Sequence, residues 1–263
     1  MNTSDITALN TGKATVLVVD DELELLDIFS TWLRRSGYRV LTAPNGGDAL
    51  KVLALEQVDA IISDVRMPIM DGVTLVRRIH EAGLTIPSII FVSGFGPADP
   101  REMCALGVEA MLEKPLSRKD LLRALEECLM DRDQLWLTPL PEPMQQAASI
   151  DIDAMNDATR AGQFQLGRGG CCFPCDQSLA EDQTIDLTVL FTRPGPCLNA
   201  QGKVRWYSAE CRLAGVAFRY LDPACRDWVI GLIEAGKPSS FIPLGSDPID
   251  QNAHPDYVLV EAT

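Results

Sequence analysis

Between Ala14 and Asp131 short apolar runs alternate with longer amphipathic stretches. The strand-like runs are Thr15–Val19, Tyr38–Thr42, Ala60–Ser63, Ser88–Val92 and Ala110–Leu112. The helix-length stretches are Glu22–Ser36, Gly47–Glu56, Thr74–Glu81, Pro100–Ala105 and Arg118–Met130. In the first of these, Leu25, Leu26, Phe29, Trp32 and Leu33 recur at helical spacing, which leaves Glu24, Asp27 and Arg34 on the opposite face. Five β–α pairs in succession predict an α/β fold: a doubly wound, five-stranded parallel sheet with helices on both faces. Such sheets collect their chemistry at the carboxyl ends of the strands.

The period then changes. Pro139, Pro141 and Pro143 fall within Asp133–Ser149, and alternate prolines block a helix and favour a stiff, extended spacer. Beyond it Ile185, Leu187, Val189 and Phe191 alternate with polar neighbours, Val204 and Trp206 repeat the pattern, and Leu213–Tyr220 reads as a further strand. A helix is predicted over Pro223–Ala235, capped by Asp222, with Pro223 in its first turn and Gly236 at its end. These elements predict a small β-barrel with a C-terminal helix. The organisation expected is a first domain over 14–132, a proline-rich linker over 133–150, the barrel over 151–238 and a tail over 239–263. Trp136, alone in the linker, is a candidate for docking the two domains together.

Composition narrows the classes. The chain is 46% hydrophobic and carries a net charge of −14, spread evenly over its two halves. Neutralising phosphates requires a basic footprint, and neither half has one, so DNA is not an expected partner. The longest apolar runs, Val16–Val19 and Ile86–Val92, fall far short of the roughly 18–20 residues of a membrane span. The polar N-terminus lacks the apolar core of a signal peptide, which leads to the expectation of a cytoplasmic protein. The eight cysteines are accordingly read as reduced thiols.

Candidate chemistry sits where the predicted strands end. Asp20 and Asp21 follow the first strand, Asp64 the third, Ser93 the fourth and Lys114 the fifth, with Pro115 next. Side by side, these ends bring three carboxylates, a hydroxyl and an ammonium into one crevice. Clustered carboxylates repel, and a hard cation such as Mg²⁺ relieves that repulsion through oxygen ligands. The same ion neutralises phosphoryl oxygens and leaves one carboxylate free for in-line attack on phosphorus. Taken singly, Asp20 and Asp21 are helix caps and Lys114 is a surface ion-pair partner; only their joint spacing points to a site.

Val16–Asp21 (VLVVDD), Ile62–Gly72 (ISDVRMPIMDG), Ser93 and Lys114–Pro115 resemble the receiver domain of two-component response regulators. The resemblance implies that Asp64 is the phosphoacceptor and that Mg²⁺ is held by Asp20, Asp21, Asp64 and the backbone carbonyl of Arg66. It also implies that Ser93 and Lys114 sense the phosphoryl group, that the bond before Pro115 is cis, and that the donor is a histidine kinase or phosphotransfer protein. A phosphorylation-dependent homodimer is in keeping with it. The family's switch aromatic, three residues before the lysine–proline pair, is here Met111, whose thioether carries neither ring nor hydroxyl. The resemblance sets Phe95 near the phosphorylation pocket, and with Arg66 it is expected to tune dephosphorylation.

The second half resembles a PilZ domain, on Phe164–Gly170 (FQLGRGG), Val204–Trp206, Gly215–Phe218 and the closing helix. PilZ domains that bind cyclic di-GMP carry two arginines with three residues between them and a motif of Asp or Asn, any residue, Ser, two residues and Gly. Guanidiniums clamp phosphates and guanine edges bidentately. Aligned on Gly170, the motif has Gln165 in place of the Asp or Asn and Gly167 in place of the Ser. Arg160 has no second arginine at the required spacing, which leaves Arg160, Arg168, Gln165 and Gly170 as candidate ligand contacts of a degenerate site. The output is therefore expected to engage a downstream protein partner, with cyclic di-GMP binding as the alternative. Cys171, Cys172 and Cys175 are weighed as a metal or redox cluster and read as buried thiols. No base, nucleophile and orienting group appear together in this half, so no turnover enzyme is expected.

Overall fold

In a computed structural model the described residues are 13–84, 86–94, 99–130, 136–137, 146–151, 164–190 and 197–245. They fall in two compact units, residues 1–96 with 109–129, and residues 97–108 with 130–263.

The first unit holds strands β1 (Lys13–Val19), β2 (Tyr38–Ala43), β3 (Ala60–Asp64), β4 (Ser88–Ser93) and β5 (Val108–Glu113) in one sheet of order β2-β1-β3-β4-β5. The β1–β2, β1–β3 and β3–β4 pairings are parallel. Its helices are α1 (Leu23–Arg35), α2 (Gly46–Leu53), α3 (Gly72–Glu81) and α5 (Arg118–Leu129), while α4 (Pro100–Ala105) groups with the second unit. Val16, Val18, Ile62 and Ile90 face one apolar cluster with Phe29, Leu33, Leu121 and Leu125. Leu17, Val19 and Ile61 face another, with Leu75 and Ile79. That two-sided burial is why β1, β3 and β4 read as continuous hydrophobic runs. Caps fix where the helices begin: Asn45 Oδ1 accepts from the Asp48 amide and Asp71 Oδ1 from the Thr74 amide.

The second unit contains β6 (Gln146–Asp151), β7 (Gln165–Leu166), β8 (Gly170–Pro174), β9 (Thr184–Leu190), β10 (Leu198–Ser208) and β11 (Leu213–Leu221), then α6 (Pro223–Gly236). The strands form one sheet of order β6-β9-β10-β11-β8-β7. The pairings are antiparallel except β6 with β9, which is parallel. Where a small β-barrel is expected, the described strands form a six-stranded sheet in which β6 and β7 are the end strands. Ile185, Leu187, Val189, Val204 and Phe218 pack with Cys225, Val229 and Ile233 of α6, which lays its apolar side on the sheet. Asp222 Oδ1 caps α6 at the Ala224 amide, with Pro223 in the first turn. The left-handed residue that ends it is Lys237 (φ 44°, ψ 52°) and not Gly236, which is still helical.

Two expectations about the linker change. The last residues of 133–150 belong to β6, whose main chain pairs with β9 from Gln146 onward. Trp136, weighed as a docking residue, is 2% exposed inside the core of the second unit. A proline-rich run hides both, because main-chain pairing at an edge needs no hydrophobic alternation to announce it.

Candidate functional site

The order of the first sheet reverses between β1 and β3, and crevices at such reversals, beyond the carboxyl ends of the strands, are where these sheets bind ligands. Asp20 follows β1 directly and Asp64 is the last residue of β3. Asp20 is 1% and Asp64 8% exposed, so both carboxylates are withheld from water. Lys114 follows β5 and reaches between them. Its Nζ lies 3.0 Å from Asp20 Oδ2, 2.7 Å from Asp64 Oδ1 and 3.7 Å from Glu22 Oε1.

Backbone groups hold the arrangement in place. The Glu22 amide donates to Asp20 Oδ1 at 2.9 Å, and the Arg66 amide donates to Asp64 Oδ2 at 2.6 Å. The Lys114 amide donates to the Ser93 carbonyl at 2.8 Å, and the Lys114–Pro115 bond is cis. Gly72 opens α3 directly beneath the site: a Cβ there would stand 2.5 Å from the Asp64 carbonyl oxygen and 3.1 Å from the Phe91 ring. Ile69 takes a left-handed conformation (φ 69°), and the turn it makes lets the Met70 carbonyl accept from the Gly46 amide at 3.0 Å.

The electrostatics follow from the geometry. Burial pushes the Asp20 carboxyl above the usual carboxylate range, against the opposing pull of the Glu22 amide and of Lys114. Burial alone would lower the Lys114 ammonium, but the hydrogen bonds to Asp64 and Asp20 outweigh it and raise the group above its ordinary value. One ammonium thus serves two buried carboxylates. The donor set is oxygen only and suits a hard divalent cation. Among the described residues no three His, Cys, Asp or Glu side chains converge as a ready metal cluster, and Asp21 is exposed.

The structure brings Asp20, Asp64 and Lys114 together and ties Ser93 to them through the main chain. Arg66 is exposed and Met111 half-buried on β5. Phe95 lies outside the described residues. Glu22 and Gly72 are the contributors that the candidate residues left out. The only sequence signals for them are the acidic run after β1 and the glycine that closes the Ile62–Gly72 motif.

Of the second set of candidates, Arg168, Gln165 and Gly170 are among the described residues and lie on or beside the β7–β8 pair. Arg160 lies outside the described residues. The Arg168 guanidinium donates to the carbonyls of Gly107 (2.9 Å) and Ser239 (3.3 Å). Gly170 begins β8 with its Cα facing the Val216 carbonyl, so that any side chain there would overlap it. Gln165 is half-buried on β7, where it pairs with Cys172. Cys171, Cys172 and Cys175 are buried, and burial pushes all three thiols up. They are packing residues of β8 and the turn after it.

Comparison with known proteins bears on the first unit. Residues 16–126 match the family described as the response regulator receiver domain. The sensor histidine kinase RcsC of Salmonella typhi is 36% identical over 124 residues, covering 47% of this chain and 13% of that one. The transcriptional regulatory protein GlrR of Escherichia coli strain K12 is 36% identical over 164 residues, covering 59% of this chain and 37% of that one. Among solved structures, the chemotaxis response regulator CheY4 of Vibrio cholerae is 32% identical, covering 44% of this chain and 98% of that one, with a TM-score of 0.41. The chain thus spans well under two thirds of the length of these two curated relatives. Residues 16–126 are a receiver domain of the response-regulator family. No helix among the described residues is long and apolar enough to cross a membrane.

Proposed function

We propose that the chain is a response regulator of a two-component phosphorelay in which Asp64 accepts a phosphoryl group from a histidine kinase or phosphotransfer protein. The observation that carries this reading is the single Lys114 ammonium set 2.7 Å from Asp64 Oδ1 and 3.0 Å from Asp20 Oδ2. An Asp64 oxygen attacks phosphorus as the phosphorus–nitrogen bond to the donor's imidazole breaks. The Arg66 amide, now on Asp64 Oδ2, holds the other carboxylate oxygen in place. Lys114 then faces an acyl phosphate, a stronger acceptor than the carboxylate it replaces. Ser93, whose carbonyl is already joined to the Lys114 amide, supplies the hydroxyl that senses the new group.

Asp20, Asp21, Asp64 and the Arg66 carbonyl would hold Mg²⁺, which supplies charge neutralisation for the phosphoryl oxygens. Met111 stands where the family's switch aromatic does, so this receiver signals without a ring that swings. Phosphorylation shifts the receiver's population toward an active conformation. The second unit, read as a PilZ-like output over 151–238 joined by the 133–150 segment, then engages a protein partner. The occupied Arg168 and the crowded Gly170 favour this over cyclic di-GMP as ligand. The chain acts on no external substrate as an enzyme.

The test is intact-mass spectrometry of the full chain incubated with Mg²⁺ and acetyl phosphate. One phosphoryl group should be gained by the native chain and none by Asp64→Asn, and chelation of the metal should prevent the gain. Undiminished labelling of Asp64→Asn, or none of the native chain, would overturn the assignment.

A further inference from the structure

Directly after α6 the segment Ser239–Gly245 belongs to neither sheet, yet its main chain is held from two sides. From one side the Arg168 amide donates to the Ser240 carbonyl at 2.9 Å and the Gly169 amide to the Phe241 carbonyl at 3.0 Å. From the other, the Cys104 carbonyl of α4 accepts from the Phe241 amide at 2.9 Å and from the Ile242 amide at 3.3 Å, all within the second unit. Arg101 Nη2 donates to the Leu244 carbonyl at 3.3 Å. Ile242 is fully buried in a cluster with Cys104, Cys172, Trp206, Leu213 and Ala217. The Phe241 ring fills the space that a side chain on Gly169 would need, and Gly167 leaves room for the Phe241 carbonyl and Pro243.

This surface has the parts of a receptor for an extended peptide. Main-chain donors and an acceptor line it, a glycine floor accepts a ring, and an apolar pocket accepts an aliphatic side chain. The chain's own segment, Ser-Ser-Phe-Ile-Pro-Leu-Gly, occupies it and carries no charge. Releasing that segment breaks no rung of either sheet, because the main-chain hydrogen bonds that hold it run to the β7–β8 loop and to a short helix; such segments open at a fraction of the global stability.

We propose that Ser239–Gly245 is an autoinhibitory strap laid over the chain's own docking face. The partner it excludes is a protein presenting an uncharged, extended aromatic–aliphatic–proline segment. This rests on reading the second unit as a partner-binding output. If the strap covers the face in about nine molecules of ten, freeing the face raises the apparent affinity for such a segment about tenfold.

The test is fluorescence anisotropy of a labelled Ser-Ser-Phe-Ile-Pro-Leu-Gly heptapeptide against the full chain. Ile242→Asp, which cannot keep a carboxylate in a dry pocket, should bind it about tenfold tighter than the native chain. A control peptide with Ser in place of Phe and Ile should bind neither. A folded Ile242→Asp chain that binds the two peptides alike, or no better than the native chain does, overturns the strap. Should that variant fail to fold, hydrogen exchange in the native chain decides: the Arg168 and Gly169 amides must exchange well before those of the β10–β11 ladder, and equal protection sinks the idea. Acetyl-phosphate labelling of the same samples keeps the readings apart, since a chain labelled on Asp64 that fails the peptide test loses the strap alone.

Discussion

The Trp136 indole meets the Phe218 ring edge-on, with centroids 5.6 Å apart and planes at 89°. Its carbonyl accepts from the Leu221 amide at 3.1 Å, just where β11 ends. A residue from a proline-rich stretch is thereby built into the core of the second unit, both by packing and by main-chain hydrogen bonding.

Trp136→Ala should therefore destabilise the second unit by about 3–5 kcal/mol, and Trp136→Phe by clearly less. Urea titration of the full chain checks it. The transition assigned to the second unit should move to lower denaturant while that of the receiver stays in place, the two units giving separate transitions.

Asp20 makes stability depend on pH in a defined direction. Burial holds its folded pKa above the ordinary carboxylate value, so the native state holds the proton longer than the unfolded chain does. Its contribution is complete below the unfolded pKa and is lost as the pH rises through the higher folded one. Asp20→Asn, metal-free, should then be less sensitive to pH across the mildly acidic range. Mg²⁺ at a hundred times its dissociation constant should stabilise the native chain by about 2.7 kcal/mol and leave Asp20→Asn nearly unaffected. Melting curves with and without Mg²⁺, taken at several pH values, read out both effects.

Gly72 has no room for a methyl group. Gly72→Ala sets a Cβ 2.5 Å from the Asp64 carbonyl oxygen, and the backbone must shift to relieve it. The expected cost is about 1–3 kcal/mol. Because the residue displaced is Asp64 itself, phosphoryl uptake from acetyl phosphate should slow in a variant that still folds.

Arg168 gives the sharpest separation of the two candidate outputs. Calorimetric titration of cyclic di-GMP into the full chain should show no saturable heat, since the guanidinium is engaged with the Gly107 and Ser239 carbonyls. Arg168→Ala should cost about 1–3 kcal/mol in stability through those two lost bonds. Saturable binding abolished by Arg168→Ala would restore the messenger reading.

Much of the receiver could be read from sequence because its signals are local and redundant. Val16–Val19 is apolar on both faces and ends in two aspartates, so one short run indicates a buried strand and the position of a site at once. Lys114 joins Asp20 from 94 positions away, and only the regular β–α alternation makes that meeting foreseeable. The second unit gives weaker signals. β6 pairs through its main chain, and Phe241 explains Gly169 only once both are seen in contact. Gly167 and Gly169 give clearance to Phe241 and Pro243, contacts that no local pattern announces.

The parallel pairing of β6 on β9 has a practical side. Each sheet edge is a row of unpaired amides and carbonyls that invites a strand from another molecule. β6 covers that row along Ile185–Leu190. A C-terminal piece cut to begin at residue 151, where composition suggests the second domain starts, would leave β9 bare and self-adhesive. Light scattering should find that piece aggregating where one beginning at 130 stays monodisperse.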